Sequence, residues 1–252
     1  MRLRDKVAIV TGAGSGYGEG MAHRFAAEGA AVVASDIAGD RVERVAAAVR
    51  EQGGRAAACQ ADVTRGDDWA RAVALALERY GRLDVVVNNA GITYRNRPML
   101  EVDEETFDRV FAVNVKSIYL SAVHAVPVFR RQGGGGAFVN IASTAGLRPR
   151  PGLTWYNASK GAAIVASKSM AVELAPDRIR VNAICPVIGE TGMTAEFMGG
   201  DSPELRARFA ATIPLGRFSR PSDIANAAVF LAEDAGEFLT GVALEVDGGR
   251  CV

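Results

Sequence analysis

The sequence has few cysteines, and none are paired by spacing. Cys59, Cys185 and Cys251 are odd in number and far apart in the 252-residue chain. A disulfide framework needs cysteine pairs and a structural zinc site needs closely spaced ligands, so we expect neither. Unpaired thiols are typical of a reducing compartment, and we therefore expect a cytoplasmic protein without a bound metal.

The sequence also lacks an excess of either charge. Its 29 basic residues balance 29 acidic ones, which gives no electrostatic reason to expect nucleic acid or an anionic membrane as a partner. No apolar run approaches the roughly 20 residues that span a bilayer, so we expect no membrane association. The first residues lead directly into a short strand, and we expect no targeting signal. The remaining expectation is a small-molecule partner.

Apolar runs alternate with helical patterns along the whole chain. They predict seven strands, near residues 6–10, 31–36, 55–61, 83–87, 137–142, 180–184 and 242–246. The longest helical patterns cover 103–131 and 154–174. This alternation predicts an α/β fold with a doubly wound, seven-stranded parallel sheet and helices on both faces. No linker or repeat divides residues 1–252, so we predict one domain, with a mobile lid at about 187–212.

A glycine-rich turn, Thr11–Gly18, follows the first strand and precedes a helix. Glycines allow the backbone to approach a pyrophosphate, and a helix N-terminus offers free amides and a positive dipole end. The glycines at 12, 16 and 18 depart from the G-x-G-x-x-G form, because Tyr17 occupies the place of its last glycine. A plain flexible loop is the alternative interpretation.

Asp36 ends the second strand, about 20 residues after the glycines, as in dinucleotide-binding folds. There a carboxylate accepts hydrogen bonds from an adenosine ribose and repels a ribose phosphate. No arginine directly follows Asp36, and the glycine turn holds no basic residue. These features predict NAD rather than NADP as the cofactor, unless Asp36 is only a turn or helix-capping residue.

Tyr156 and Lys160 are four residues apart in a helical pattern, which places them on one helix face. A free tyrosine titrates near ~10, and a neighbouring ammonium lowers that pKa. The pair therefore suits general acid–base catalysis near neutral pH. Ser143, at the end of an apolar strand, is placed to hold a substrate oxygen. Many helices carry such a pair as surface residues, so the motif is weak when taken alone.

Taken together, the motifs resemble those of the short-chain dehydrogenase/reductase family over the whole chain. The resemblance rests on Thr11–Gly18, Asp62-Val63, Asn88-Asn89-Ala90-Gly91, Asn114, Ser143, Tyr156-x-x-x-Lys160, Pro186 with Thr191, and Asp247-Gly248-Gly249. It implies an NAD(P)-dependent oxidoreductase with a Rossmann-like sheet, acting between a secondary alcohol and a ketone of sugar, polyol or hydroxy-acid type. It also implies a homotetramer or homodimer formed through helices near 103–131 and 154–174.

The resemblance assigns roles to individual residues. Tyr156 is implied as the acid/base, Ser143 as the residue that polarises the substrate oxygen, Lys160 as the partner that lowers the tyrosine pKa, and Asn114 as the anchor of a proton-relay water. The implied cofactor contacts are Gly12, Ser15, Gly16, Tyr17, Gly18, Asp36, Ile37, Asp62, Val63, Asn89, Ala90, Gly91, Tyr156, Lys160, Pro186, Ile188 and Thr191.

Two departures from the family pattern affect the interpretation. Val187 follows Pro186 where the family usually has glycine, and Gly189 comes two residues later, so the lid is expected to open differently. Val172 stands where carrier-protein-dependent 3-oxoacyl reductases generally have arginine. A 3-oxoacyl-thioester reductase is therefore the second enzymatic hypothesis, and a catalytically idle NAD-binding protein is the non-enzymatic one.

Four arginines lie on loops that should border the substrate site. Arg95 and Arg97 follow the fourth strand, and Arg148 and Arg150 lie between Ser143 and Tyr156. We hypothesise that one or more binds an anionic substrate through a bidentate contact. Solvated loop charges are the alternative. Trp155 and Met193, with Phe197 and Met198, are candidates for an apolar wall, although core packing or lid anchoring would also explain them.

Overall fold

The computed structural model describes residues 1–252, and its centre is one seven-stranded, all-parallel sheet in the order β3-β2-β1-β4-β5-β6-β7. The strands are β1 Val7–Thr11, β2 Ala31–Asp36, β3 Arg55–Gln60, β4 Val85–Asn88, β5 Gly136–Ile141, β6 Ile179–Pro186 and β7 Ala243–Val246. The predicted sheet is confirmed. Every predicted strand is present, within three residues at either end.

The structure has nine α-helices. They are α1 Gly16–Ala27, α2 Gly39–Glu51, α3 Gly66–Tyr80, α4 Glu104–Phe111, α5 Ser117–Gln132, α6 Thr154–Leu174, α7 Thr194–Met198, α8 Pro203–Ala210 and α9 Pro221–Ala232. Six of them, α1, α2, α3, α5, α6 and α9, pack on the two faces of the sheet. One apolar cluster joins the sheet to α1, α2 and α9. A second cluster joins its other face to α3, α5 and α6. The lid predicted at 187–212 contains α7 and α8, and its mobility stays a prediction.

The strands are apolar throughout because both faces of the sheet are covered. In β1 all five residues are buried, and Ile9 lies beside Val33 of β2 and Val86 of β4. The chain order reverses between β1 and β4, since β1 is followed outward by β2 on one side and by β4 on the other. Open α/β sheets bind ligands at such a reversal, outside the carboxyl ends of the strands.

The helical stretch Glu104–Gln132 is long and apolar enough to cross a membrane by length and composition alone. From the sequence we expect no segment that could span a bilayer, because polar residues interrupt every apolar run. The helix continues through these polar residues and so reaches the necessary length. A π-helical segment, Ala112–Lys116, joins α4 to α5 within it. The face of α5 that carries Val128 and Phe129 is buried in the core, and core helices of soluble proteins pass the same test.

Phe138 of β5 is a central contact between the sheet and α5. Its ring meets that of Phe129 edge to face, with centroids 5.5 Å apart, and both side chains are fully buried. We expect Phe138→Ala to lower the free energy of unfolding by about 3–5 kcal/mol, through lost burial and the cavity left behind. Urea denaturation measures this change. Phe238→Ala is the matched control, because Phe238 is 99% exposed, and equal losses in the two variants would contradict the expectation.

Candidate active site

A cavity of about 650 Å³ opens at the carboxyl ends of the strands. It is bordered by the glycine turn, the ends of the central strands, the start of α6 and the lid. The structure places these sequence-predicted residues on its wall: Gly12, Ser15, Gly16, Tyr17, Asp36, Ile37, Asp62, Val63, Asn89, Ala90, Gly91, Ser143, Arg148, Arg150, Tyr156, Lys160, Pro186, Ile188, Thr191 and Met193. Gly18, Asn114 and Trp155 do not line it.

The glycine turn needs glycine for two reasons. Gly12 and Gly16 have φ of +63° and +58°, a region that side-chain-bearing residues avoid. A Cβ on Gly18 would lie 2.1 Å from the Gly12 carbonyl oxygen, so Gly18 allows α1 to pack against the turn. Gly18 does not line the cavity, and its contact with the cofactor stays a prediction. The first amides of α1 have no partner within the helix and face an anion position.

Asp36 fixes the turn and lies on the cavity wall. Its Oδ2 accepts the Gly14 amide at 2.9 Å, and its Oδ1 accepts the Ala38 amide at 2.9 Å. Each oxygen keeps a second lone pair for a ribose hydroxyl. Arg41 also lines the cavity, and a Cβ on Gly14 would lie 3.0 Å from both Arg41 Cβ and Asp36 Cγ. Sequence reasoning missed it because it looked only directly after Asp36, whereas the first turn of α2 brings residue 41 back to the site.

Asn89 connects the glycine turn to the end of β4. Its side-chain amide donates to the carbonyl oxygens of Thr11 at 2.8 Å and Gly12 at 3.2 Å. In return, the Thr11 hydroxyl accepts the amides of Asn89 and Ala90 at 3.0 and 3.1 Å. The side chain of Asn89 therefore holds the two loops together, and its side-chain amide is already occupied by these bonds.

Tyr17 ties the glycine turn to the base of the lid. Its hydroxyl lies 2.5 Å from Ser219 Oγ and donates to the Val187 carbonyl at 3.3 Å. Burial raises the pKa of Tyr17 to about 12, so the hydroxyl stays a donor at neutral pH. A Cβ on Gly189 would lie 1.7 Å from the tyrosine oxygen. The displaced glycine noted in the sequence is thus the residue that makes room for Tyr17.

Ser143 and Tyr156 lie next to each other on the cavity wall. Ser143 begins a short 3₁₀ turn, where its Oγ accepts the Ala145 amide at 3.1 Å. Burial raises the pKa of Tyr156 above its ordinary value, and the hydrogen bond with Ser143 opposes that rise. The Lys160 ammonium lies 5.9 Å from the centre of the tyrosine ring. That it lowers the tyrosine pKa when a cofactor is bound stays a prediction.

Lys160 and Asn114 both lie close to Gly91. Its Nζ donates to the Ile141 carbonyl at 2.9 Å, and burial lowers its pKa to about 8. A Cβ on Gly91 would lie 3.2 Å from Lys160 Nζ and 3.3 Å from Asn114 Oδ1. The loop after β4 therefore needs glycine so that the lysine and the asparagine can approach from behind it.

Asn114 sits in the π-helical segment, behind the cavity wall. Its Oδ1 accepts the Ile92 amide at 2.9 Å, and its Nδ2 donates to the Ile92 carbonyl at 2.9 Å and Ser159 Oγ at 3.0 Å. The side chain is therefore satisfied by backbone and by Ser159, and the helix around it is locally distorted. Its role in a proton relay stays a prediction.

At the substrate end, the structure separates the candidates. Arg148, Arg150, Met193 and Phe197 line the cavity, and so do Arg109 and Phe209, which sequence reasoning missed. The remaining candidates, Arg95, Arg97, Trp155 and Met198, lie outside it. Of the predicted substrate residues, Trp155 is therefore not on the cavity wall. Its indole donates to the Met99 carbonyl at 3.2 Å and packs against Phe107, because the start of α6 turns it away from the cavity.

These residues fit a bound dinucleotide. A free helix N-terminus follows two left-handed glycines, and Asp36 borders the position expected for a ribose. The Thr191 methyl group would lie 3.3 Å from a Cβ on Gly16, so the lid covers the glycine turn closely. The cavity continues from there to Tyr156, Ser143 and Lys160.

Comparisons with known proteins agree with this geometry. A family model described as enoyl-(acyl carrier protein) reductase matches residues 12–250. The chain is 51% identical to 4-formylbenzenesulfonate dehydrogenase TsaC1/TsaC2 of Comamonas testosteroni, over 99% of each chain. It is 38% identical to a cyclopentanol dehydrogenase of a Comamonas species, over 98% of each. A crystal structure of a 3-ketoacyl-(acyl-carrier-protein) reductase from Brucella melitensis complexed with NADH is similar at 44% identity and a TM-score of 0.92, covering 99% of this chain and 100% of that one.

The tight fit of Tyr17 against Gly189 generates a first prediction for the site. We expect Gly189→Ala to displace the tyrosine from Ser219 and to weaken NADH binding, because Tyr17 belongs to the glycine turn. Titration of protein fluorescence with NADH measures the affinity. Gly200→Ala is the control, since a Cβ there meets nothing within 4 Å. Equal affinities in the two variants would rule out the proposed connection between residue 189 and the turn.

The buried Lys160 generates a second prediction. Because its native pKa is about 8 and its ordinary value 10.5, burial of the ammonium destabilises the fold at neutral pH by roughly 3 kcal/mol. We expect Lys160→Met to raise the free energy of unfolding at neutral pH by up to that amount. From pH 8 to 10.5 only the unfolded chain keeps this proton, so wild-type stability rises relative to the variant. Denaturation curves across this range test it, and a difference independent of pH would contradict it.

Proposed function

Because this chain belongs to the short-chain dehydrogenase/reductase family, we propose that it is an NAD(H)-dependent oxidoreductase interconverting a secondary alcohol and a ketone. The observation that carries the proposal is the single cavity that joins a dinucleotide-binding turn to Ser143, Tyr156 and Lys160. The relatives named as dehydrogenases of an alcohol support the CH–OH group as the reacting centre. The relative complexed with NADH supports the cofactor, as does Asp36 on the cavity wall.

Oxidation of an alcohol removes a hydride from carbon and a proton from oxygen. A bound nicotinamide supplies the hydride acceptor, or the hydride donor in the reverse direction. The Ser143 hydroxyl holds and polarises the substrate oxygen. Tyr156 Oη accepts the hydroxyl proton in oxidation and returns it in reduction, and Lys160 stabilises the phenolate. Because burial raises the pKa of Tyr156, proton acceptance is favoured by positive charge near the phenol, from Lys160 and from the oxidised nicotinamide ring.

The substrate class follows from the walls beyond Tyr156. Phe197 meets the Tyr156 ring edge to face at 5.1 Å, and Phe209 and Met193 extend this apolar wall. Such a wall disfavours a sugar or polyol, which would leave many hydroxyls without partners. Of the classes considered from the sequence, a hydroxy acid with an apolar or aromatic body is the one we propose. The relative named for 4-formylbenzenesulfonate, an aromatic carbonyl compound that carries an anion, supports this choice.

A 3-oxoacyl-thioester reductase remains the second candidate, and the 44% identical reductase from Brucella melitensis favours it. Against it, Val172 of α6 is 80% exposed and offers no cation to an acidic carrier protein. We further propose a homo-oligomer in the cytoplasm. Exposed apolar residues on α5 and α6, including Tyr119 and Val165, support an interface on the two predicted helices.

The test is turnover of a substrate panel with NAD and with NADP, followed by NADH absorbance. Tyr156→Phe should lower kcat by about 10²–10⁴-fold, because the acid/base is lost, while NADH affinity is retained. Tyr80→Phe is the control, since Tyr80 lies on α3 outside the cavity. Turnover of 3-oxoacyl thioesters alone would favour the second candidate. NADH binding without turnover of any alcohol or ketone would favour the idle protein.

A further inference from the structure

The acidic side chains of the cavity wall lie only at its dinucleotide end, where Arg41 lies beside them. The acidic ones are Asp36 and Asp62, at the carboxyl ends of β2 and β3, where the dinucleotide would lie. Beyond Tyr156 the wall carries Arg109, Arg148 and Arg150, and no carboxylate. A cavity whose substrate end presents only positive charge selects for negatively charged ligands.

Arg150 has no acidic partner, although it is partly buried and lies on the cavity wall. Eleven ion pairs occupy arginines and lysines elsewhere, and none involves Arg148 or Arg150. Burial lowers the pKa of Arg150, and the charges of Arg250 and Arg148 lower it further. A partly buried guanidinium beside two other cations is destabilising unless an anion joins it.

The position of Arg150 is fixed relative to Tyr156. The Asn157 side chain, next to the tyrosine on α6, donates to the Arg150 carbonyl at 2.9 Å. On the other side the guanidinium lies over the Phe209 ring of α8 at 4.8 Å, and its Nη2 donates to Thr212 Oγ1 at 3.0 Å. A guanidinium has five N–H donors, so this single side-chain contact leaves a bidentate edge unused.

Arg148 is less well suited to the same task. Its Nη1 donates to the carbonyl oxygens of Arg250 at 2.6 Å and Val252 at 3.4 Å. These contacts direct the guanidinium toward the last residues of the chain. Its charge adds to the potential at the cavity, but its Nη1 is committed to the backbone carbonyls at the end of the chain.

We infer that Arg150 binds the carboxylate or sulfonate of the substrate and thereby determines specificity for anionic, ring-bearing alcohols. The inference rests on the proposed function, which places the reacting carbon at Tyr156. In this arrangement the guanidinium takes the anion through a bidentate contact, and Phe197 and Phe209 enclose the apolar body between the anion and the hydroxyl. Because Phe209 belongs to the lid, the same arginine borders both substrate and lid.

The test compares two secondary alcohols that differ only in charge, 4-(1-hydroxyethyl)benzoate and 4-(1-hydroxyethyl)benzamide. We expect the wild type to have a kcat/KM about 10- to 100-fold higher for the carboxylate, the range of a charge-assisted contact. Arg150→Met should remove this preference mainly through KM of the carboxylate, with little change for the amide. Arg150→Lys should restore part of it. Arg95 lies outside the cavity and forms no ion pair, so Arg95→Met should leave kcat/KM unchanged for both substrates.

A binding measurement separates failure of the inference from failure of the proposed function. The complex of the protein with NADH is titrated calorimetrically with the unreactive 4-ethylbenzoate and 4-ethylbenzamide. Tighter binding of the benzoate that Arg150→Met abolishes supports the anion site even if no alcohol is oxidised. Equal turnover and equal binding of charged and neutral compounds by the wild type would overturn the inference and leave the dehydrogenase intact. An equal loss for both compounds in Arg150→Met would also overturn it, since that result indicates a structural role.

Discussion

The hydrogen bonds between Thr11 and Asn89 are the constraint on which the rest of the site depends. They join the ends of β1 and β4 at the point where the strand order reverses. Through them the glycine turn that receives a phosphate and the loop that contains Gly91 keep one geometry. Gly91 in turn sets how closely Lys160 and Asn114 approach the cavity. The dinucleotide end and the proton-transfer end of the cavity are therefore parts of one rigid unit.

Burial shifts the pKa values of Tyr156 and Lys160 in opposite directions. Desolvation raises the pKa of Tyr156 and lowers that of Lys160 to about 8, because both lose contact with water. The neutral tyrosine is favoured more strongly than in solution, which suits a proton donor. To accept a proton, the same residue needs positive charge nearby. Positive charge from Lys160 and from the oxidised nicotinamide ring of a bound cofactor would supply this.

Much of the fold could be predicted from the sequence, because strands buried on both faces leave continuous apolar runs and the helices between them end at glycines. The glycine turn, Asp36 and the Tyr156–Lys160 spacing are local signals for the same reason. The direction of the Trp155 side chain, the return of Arg41 to the cavity and the contact between Arg150 and Phe209 depend on the packing of distant segments, which no local pattern encodes. The pKa of Tyr156 likewise depends on burial, and spacing along a helix does not report burial.

The contact between Tyr17 and Gly189 has a consequence for how this sequence can diverge. The tyrosine oxygen fills the volume that any side chain at residue 189 would need. A larger residue at position 189 is tolerated only after Tyr17 has been replaced by a smaller one, although 172 residues separate the two positions in the chain. The two sites should therefore covary among descendants of this sequence, with the glycine retained for as long as the aromatic ring is present.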